Sequence, residues 1–238
     1  MHYKILFAVT FFLMSFTNLD LKEAHKKTNP DLLAANTKTA FDAKAEGIYA
    51  QLNANNFAMP AIESFKQALE GFYSLKDKGM LNKDILTLVD FSLSSKAKRL
   101  WVIDLSTNTI LFNSLVAHGR NSGMDFANAF SNKNDSFKSS LGLYVTGEVY
   151  NGKHGMSMKL DGQEPGVNDN ARSRSVVMHG ADYVSESVVR MQNRLGRSLG
   201  CPAIPVELTS DIINTIKDKS VLFIYHQSRS KKSFGSFS

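Results

Sequence analysis

Gly196-Arg197-Ser198-Leu199-Gly200-Cys201-Pro202 contains the only cysteine of the chain, and Ser175-Val176-Val177-Met178-His179-Gly180 lies a short way upstream. The first stretch, rich in glycine, serine and proline, is poor core material. Its thiol therefore reads as a working group rather than as the small buried hydrophobe that an unpaired cysteine more often is. The second reads as a short buried strand that ends on a histidine. A cysteine nucleophile needs a base to take its proton and backbone N–H groups to receive an oxyanion. Cys201 and His179 fit the first two roles, and the N–H groups of Gly200 and Cys201 are natural oxyanion donors.

The N-terminus supports a thiol that is put to use. Met1-His2-Tyr3-Lys4 followed by uncharged Ile5 to Phe16 is the pattern of a secretory signal peptide, expected over residues 1–19. Its apolar run is short for a bilayer span, which takes about 20 residues. The chain is thus expected to be exported to the periplasm or cell envelope, with no membrane attachment once the leader is removed. In that oxidising setting an unpaired thiol is a liability unless it has a task, and a single cysteine excludes any disulfide within the chain.

A hydrophobic share of 43% and a charged share of 21% describe an ordinary globular chain. The balance of 28 basic against 22 acidic residues gives a net charge of +6, which for an exported protein suits a polyanionic envelope. Basic residues do not interleave with aromatics along one face, so no nucleic-acid partner is expected. HExxH, CxxC, clustered carboxylates and a phosphate-binding glycine loop are all missing from the sequence, so neither metal nor cofactor is expected.

Along the chain, residues 20–38 are polar and turn-rich, and Phe41, Ala45, Ile48 and Leu52 recur at helical spacing. A second helix is expected to open at Met59-Pro60, with an apolar stripe of Ile62, Phe65, Leu69, Phe72 and Leu75 before Lys78-Gly79. From Ile85 the period changes towards strand. Candidates are 85–91, 100–105, 110–116, 142–150, 175–178 and 221–226, with helical patterns at 185–194 and 205–217. The result is an α+β chain: a linker and helical pair over 20–82, a mostly antiparallel sheet domain over 83–228, and a basic, disordered tail over 229–238.

The two motifs together resemble the murein L,D-transpeptidase catalytic domain family of bacterial cell-wall enzymes, which places His-Gly at a strand end and Ser-x-Gly-Cys later. Ser139-Ser140-Leu141-Gly142-Leu143-Tyr144 is similar to that family's Thr-Pro-x-Gly-x-Tyr/Phe segment. Val116-Ala117-His118-Gly119-Arg120-Asn121-Ser122-Gly123 and Tyr150-Asn151-Gly152-Lys153-His154-Gly155 resemble one branch of it. Two positions depart: Leu199 stands where the commoner branch has His, and Ser140 where Pro is usual. The resemblance covers about residues 85–226.

The resemblance implies a mostly antiparallel β-sandwich catalytic domain behind the helical pair. It also implies Cys201 as nucleophile, His179 as base and the Gly180 carbonyl as the group that orients the imidazole. Gly200, Ser198, Arg197, Tyr144 and Arg174 are the implied oxyanion and substrate-binding residues. The implied substrate is the tetrapeptide stem of peptidoglycan, attacked to give a thioester acyl-enzyme. Transfer to an amine gives a 3→3 cross-link, and transfer to water trims the stem. His118 and His154 read as satisfied structural histidines. A papain-like protease would place its Cys before its His, and a sortase would need an arginine on a strand after the cysteine, where only Arg229 follows. The rival from another class is a catalytically silent peptidoglycan-binding module of the same fold.

Overall fold

The computed structural model describes residues 30–229. The signal peptide expected over 1–19, the first ten residues of the expected linker and the tail beyond Arg229 lie outside the described residues. Helix α1 (Pro30–Ala50) starts within the stretch expected to be linker. Proline suits a first helical position because its missing N–H has no intrahelical partner there anyway. Helix α2 (Ile62–Asp77) begins two residues after Pro60, because Ala61 is still extended at φ −62°, ψ 136°.

The predicted stripe of α2 is what it buries. Phe65, Leu69, Phe72 and Leu75 pack with Leu86, Leu88, Trp101, Ile103, Leu143 and Phe223 into one core. Each such side chain contributes about 1.5–3 kcal/mol on burial. Gly71 faces Leu143 so closely that a methyl there would meet Leu143 Cδ1 at 2.7 Å, which sets how near α2 lies to the sheet. The helical pair thus shares a core with the strands.

The strands are β1 (Ile85–Asp90), β2 (Leu100–Asp104), β3 (Thr109–Ser114), β4 (Gly142–Gly152), β5 (Gly155–Gly162), β6 (Val177–Gly180), β7 (Ala203–Ile204) and β8 (Val221–Tyr225). They form one hydrogen-bonded sheet in the order β3-β2-β1-β8-β4-β5-β6-β7. The α+β class and six expected strands are observed, the one expected over 175–178 shifted to 177–180 because Ser175 lies in a left-handed turn. Most pairings are antiparallel, but β1–β8 and β6–β7 are parallel, so the sheet is mixed.

Where a sandwich is expected, the ladder is instead a single rolled sheet. The chain leaving edge strand β3 at Ser114 makes the bridge Ala117–Ala203 to the opposite edge strand, β7. Three residues reach at most about 10 Å, so the two edges must approach each other. Helix α4 (Val206–Ile216) fills the roll: Ile212, Ile213 and Ile216 join Val89, Tyr144, Met158, Met178, Leu222 and Ile224 in a second core. The short α3 (Glu186–Gln192) is capped by Ser185 Oγ, which accepts from the Val188 N–H at 3.3 Å, and it buries no residue.

Arg229, expected as the first residue of a solvated tail, is instead anchored. Its guanidinium donates to Glu164 Oε2, and the other oxygen of that carboxylate accepts the Leu143 N–H at 2.7 Å. That carboxylate is itself nearly buried, so the pair ties Arg229 to the sheet domain.

Candidate active site

Strand β6 ends at His179-Gly180, and β7 runs parallel to it with His179 opposite Ala203. Cys201 therefore falls two residues back along the neighbouring segment, level with Val177. The Val177 N–H donates to Cys201 Sγ at 3.4 Å, and the thiol donates to the Ser175 carbonyl at 3.7 Å. Local chain geometry places that carbonyl. Val176 N–H bonds Ala171 O and Ser175 N–H bonds Arg172 O, the reciprocal pair that terminates a helical turn. Such an ending puts Ser175 in the left-handed region, at φ 55°.

His179 is held by a backbone acceptor. Its Nδ1 lies 2.8 Å from Gly180 O, and because a carbonyl only accepts, Nδ1 carries the hydrogen and Nε2 is the basic nitrogen. Burial pulls the imidazole pKa down, partly offset by the Gly180 carbonyl, so the ring is neutral at neutral pH. Gly180 must be glycine for a steric reason: α4 crosses so close that a Cβ would overlap Thr209 Oγ1. On Cys201, burial pushes the thiol up, while Val177 N–H, Arg174 and Lys153 pull the other way. The resting pair is thus thiol and neutral imidazole, not an ion pair. Among the described residues the hydrogen-bond partners of Sγ are Val177 and Ser175, and His179 is not one of them.

The turn carrying the cysteine is fixed by a buried lattice of hydroxyls. Ser198 N–H donates to His118 O, and Ser198 Oγ donates to Cys201 O at 2.6 Å while accepting the Gly200 N–H at 3.0 Å. Ser139 Oγ donates to Gly200 O and accepts the Gly119 N–H. Beneath this lattice, wholly buried Arg99 donates to Val116 O, Leu93 O and His118 Nδ1. His118 must then donate from Nε2 to Gly123 O, as the neutral tautomer. Burial, then Arg99, pull its pKa down to about 4.

Several expected site residues turn out to be scaffold. The Gly200 N–H is taken by Ser198 Oγ, so of the two expected oxyanion donors only Cys201 N–H remains, and it lies against its own sulfur. Tyr144 is wholly buried, with its hydroxyl donating to Ser140 O at 3.0 Å. It lines no surface that a substrate could touch, because β4 is a central strand and turns that ring into the inner core. Arg174 spends its donors on the loop over residues 131–140: Ser131 O at 2.8 Å, Lys138 O at 2.7 Å, and the hydroxyls of Ser136 and Ser140. Arg197 donates to Arg120 O and Gly123 O. Both arginines brace loops beside the site, and Arg174 also lies close enough to Cys201 to favour its thiolate.

Ser139, Ser175 and Val177 lie in the quoted motif stretches, but nothing in the sequence gives them the roles around Cys201 that the structure does. His118 is the satisfied structural histidine expected of it. His154 is not: it is exposed, and its ring stacks on that of His179, centroids 4.4 Å apart at 18°. Among the described residues no group of three or more His, Cys, Asp or Glu is arranged to hold a metal ion. No described helix is long and apolar enough to cross a membrane.

A family model described as the L,D-transpeptidase catalytic domain matches residues 58–225. The chain belongs to the L,D-transpeptidase catalytic domain family. The match takes in α2 as well as the sheet. Among solved structures, an L,D-transpeptidase from Mycobacterium smegmatis is 11% identical, with a TM-score of 0.37 over 60% of this chain and 59% of that one. A mutant of the helical cell shape determining protein Pgp2 from Campylobacter jejuni is 15% identical, with a TM-score of 0.38 over 69% of this chain and 57% of that one. This L,D-transpeptidase-family chain thus spans less than two thirds of the length of either. No curated protein matches it.

Proposed function

We propose that this member of the L,D-transpeptidase catalytic domain family is an exported cysteine acyltransferase acting on the tetrapeptide stems of peptidoglycan. The observation that carries the reading is the 2.8 Å contact of His179 Nδ1 with Gly180 O, which leaves Nε2 as a base one strand away from the only thiol. The pair needs no carboxylate as a third member, because a backbone carbonyl fixes the tautomer.

The thiol swings from Ser175 O towards His179, and Nε2 takes its proton as the sulfur attacks the carbonyl of the L-centred stem residue. Apo sites commonly tighten such hydrogen bonds only with substrate bound. Val177 N–H, aimed at Sγ, favours the thiolate as it forms. Cys201 N–H is the donor best placed to receive the oxyanion. The imidazolium returns its proton to the amine of the departing terminal D-alanine, leaving a thioester on Cys201. A second stem's amine, or water, then gives up a proton to Nε2 and attacks the thioester, and the thiol is released.

Intact mass after incubation with a carbapenem tests this. A covalent adduct on the wild type that Cys201→Ala lacks is the expected result. A wild-type protein that stays unmodified under reducing conditions points instead to a silent wall-binding module. Muropeptide profiles with and without the protein then separate cross-linking from trimming.

A further inference from the structure

We propose that His154 is a positioning residue for His179, holding the catalytic ring in its working plane by stacking on it from the β4–β5 turn. This rests on the reading of His179 as the base.

The β4–β5 hairpin closes at Lys153-His154, between the paired residues Gly152 and Gly155. Past that turn, β5 runs alongside β6 with Ser157 opposite His179, so the tip of the hairpin folds back over the strand that carries the base. His154 thereby lays its ring nearly parallel to that of His179. The imidazole of His179 is then constrained in two independent ways. The bond from Nδ1 to Gly180 O fixes which edge faces the backbone, and the stacked ring fixes the plane. One contact without the other leaves a rotation open. The hydrogen bond alone tolerates rocking about the Nδ1–O line, and stacking alone tolerates a flip that exchanges Nδ1 with Nε2.

Two observations argue against a merely structural role. His154 is exposed, and among the described residues its ring has no hydrogen-bond partner that would make it a satisfied structural residue of the turn. The neighbouring Lys153 acts on both Cys201 and His179, so the whole turn belongs to the site.

The test uses the full chain with His154→Ala and His154→Phe. The rate of carbapenem adduct formation should fall about tenfold or more in His154→Ala, the scale expected when a reacting group loses its alignment. The carbapenem concentration for half-maximal rate should hold, and His154→Phe, which keeps a ring but has no nitrogen, should recover most of the rate. Nitrogen-15 spectra of the His179 ring supply a readout that needs no turnover. Both proteins should keep the Nδ1–H tautomer that Gly180 O fixes, and nitrogen-15 relaxation should report a rigid ring in the wild type and a rocking one in His154→Ala. Wild-type adduct rates in His154→Ala, or no recovery in folded His154→Phe, overturn the inference while leaving the enzymatic reading intact. A wild type that never forms an adduct removes that reading, and a His179 ring as rigid in His154→Ala as in the wild type then removes this one too.

Discussion

The thiol of Cys201 points at the carbonyl of Ser175, 3.7 Å away, and not at the imidazole of His179. The nucleophile is thereby kept protonated at rest. Burial disfavours the thiolate, and the carbonyl offers the S–H an acceptor that does not take the proton. Alkylation of the wild type by iodoacetamide should accordingly be slow at pH 7 and rise through a midpoint above the ordinary thiol value of about 8.5. A rate already at its plateau at pH 6, the mark of a preformed thiolate–imidazolium pair, would contradict this.

Burial holds the His179 pKa below the ordinary imidazole value, so the ring stays neutral, and competent as a base, below about pH 6.5. The acid limb of adduct formation with a carbapenem, where His179 protonates, should therefore have its midpoint below the ordinary imidazole value of about 6.5. His179→Ala should lower the rate by about 10²–10⁴-fold. The logarithm of the rate against pH checks both.

Gly119 packs against the turn that carries the nucleophile. A Cβ there would meet Phe137 O at 2.6 Å, Gly200 Cα at 2.9 Å and Ser139 N at 2.9 Å, all of them backbone atoms that cannot step aside. Gly119→Ala should cost about 1–3 kcal/mol, as overpacking does, and should slow the chemistry by displacing Gly200. Thermal melting and adduct rates measure the two losses separately.

Arg174 braces the 131–140 loop through two carbonyls and two hydroxyls and lies close enough to Cys201 to favour its thiolate. In Arg174→Ala, amide exchange over residues 131–140 should quicken, and the midpoint of thiol alkylation should move further up in pH. Arg174→Lys keeps the charge but not the fork of donors, so it should restore the midpoint better than the protection.

His118 ties stability to pH. It is neutral when folded, with a pKa near 4, against about 6.5 when unfolded. Between those values the unfolded chain takes up a proton that the folded chain refuses. This contribution is intact above pH 6.5, is reduced by about 2 kcal/mol at pH 5 and levels off below pH 4. Urea titrations from pH 7 to 4.5 should show a flatter decline for His118→Asn than for the wild type.

The chain's periodicity and punctuation are local properties, and they determined the helices of the N-terminal pair, six strands and the α+β class. Strand β5 was equally legible, since Met156, Met158 and Leu160 alternate with Ser157, Lys159 and Asp161, whereas two-residue β7 carries no periodic signal at all. What only the tertiary structure decided depends on groups far apart in sequence. The roll of the sheet comes from the Ala117–Ala203 bridge. That closure carries His118 and Gly119 to the nucleophile's turn, where Ser198 claims the Gly200 N–H that the sequence offers to the oxyanion. The same folding turns Tyr144 inward and brings His154 over His179. A residue's type fixes which hydrogen bonds and contacts it can make, but the partner that reaches it first is set by strand order and register, and these arise only when the whole sheet assembles.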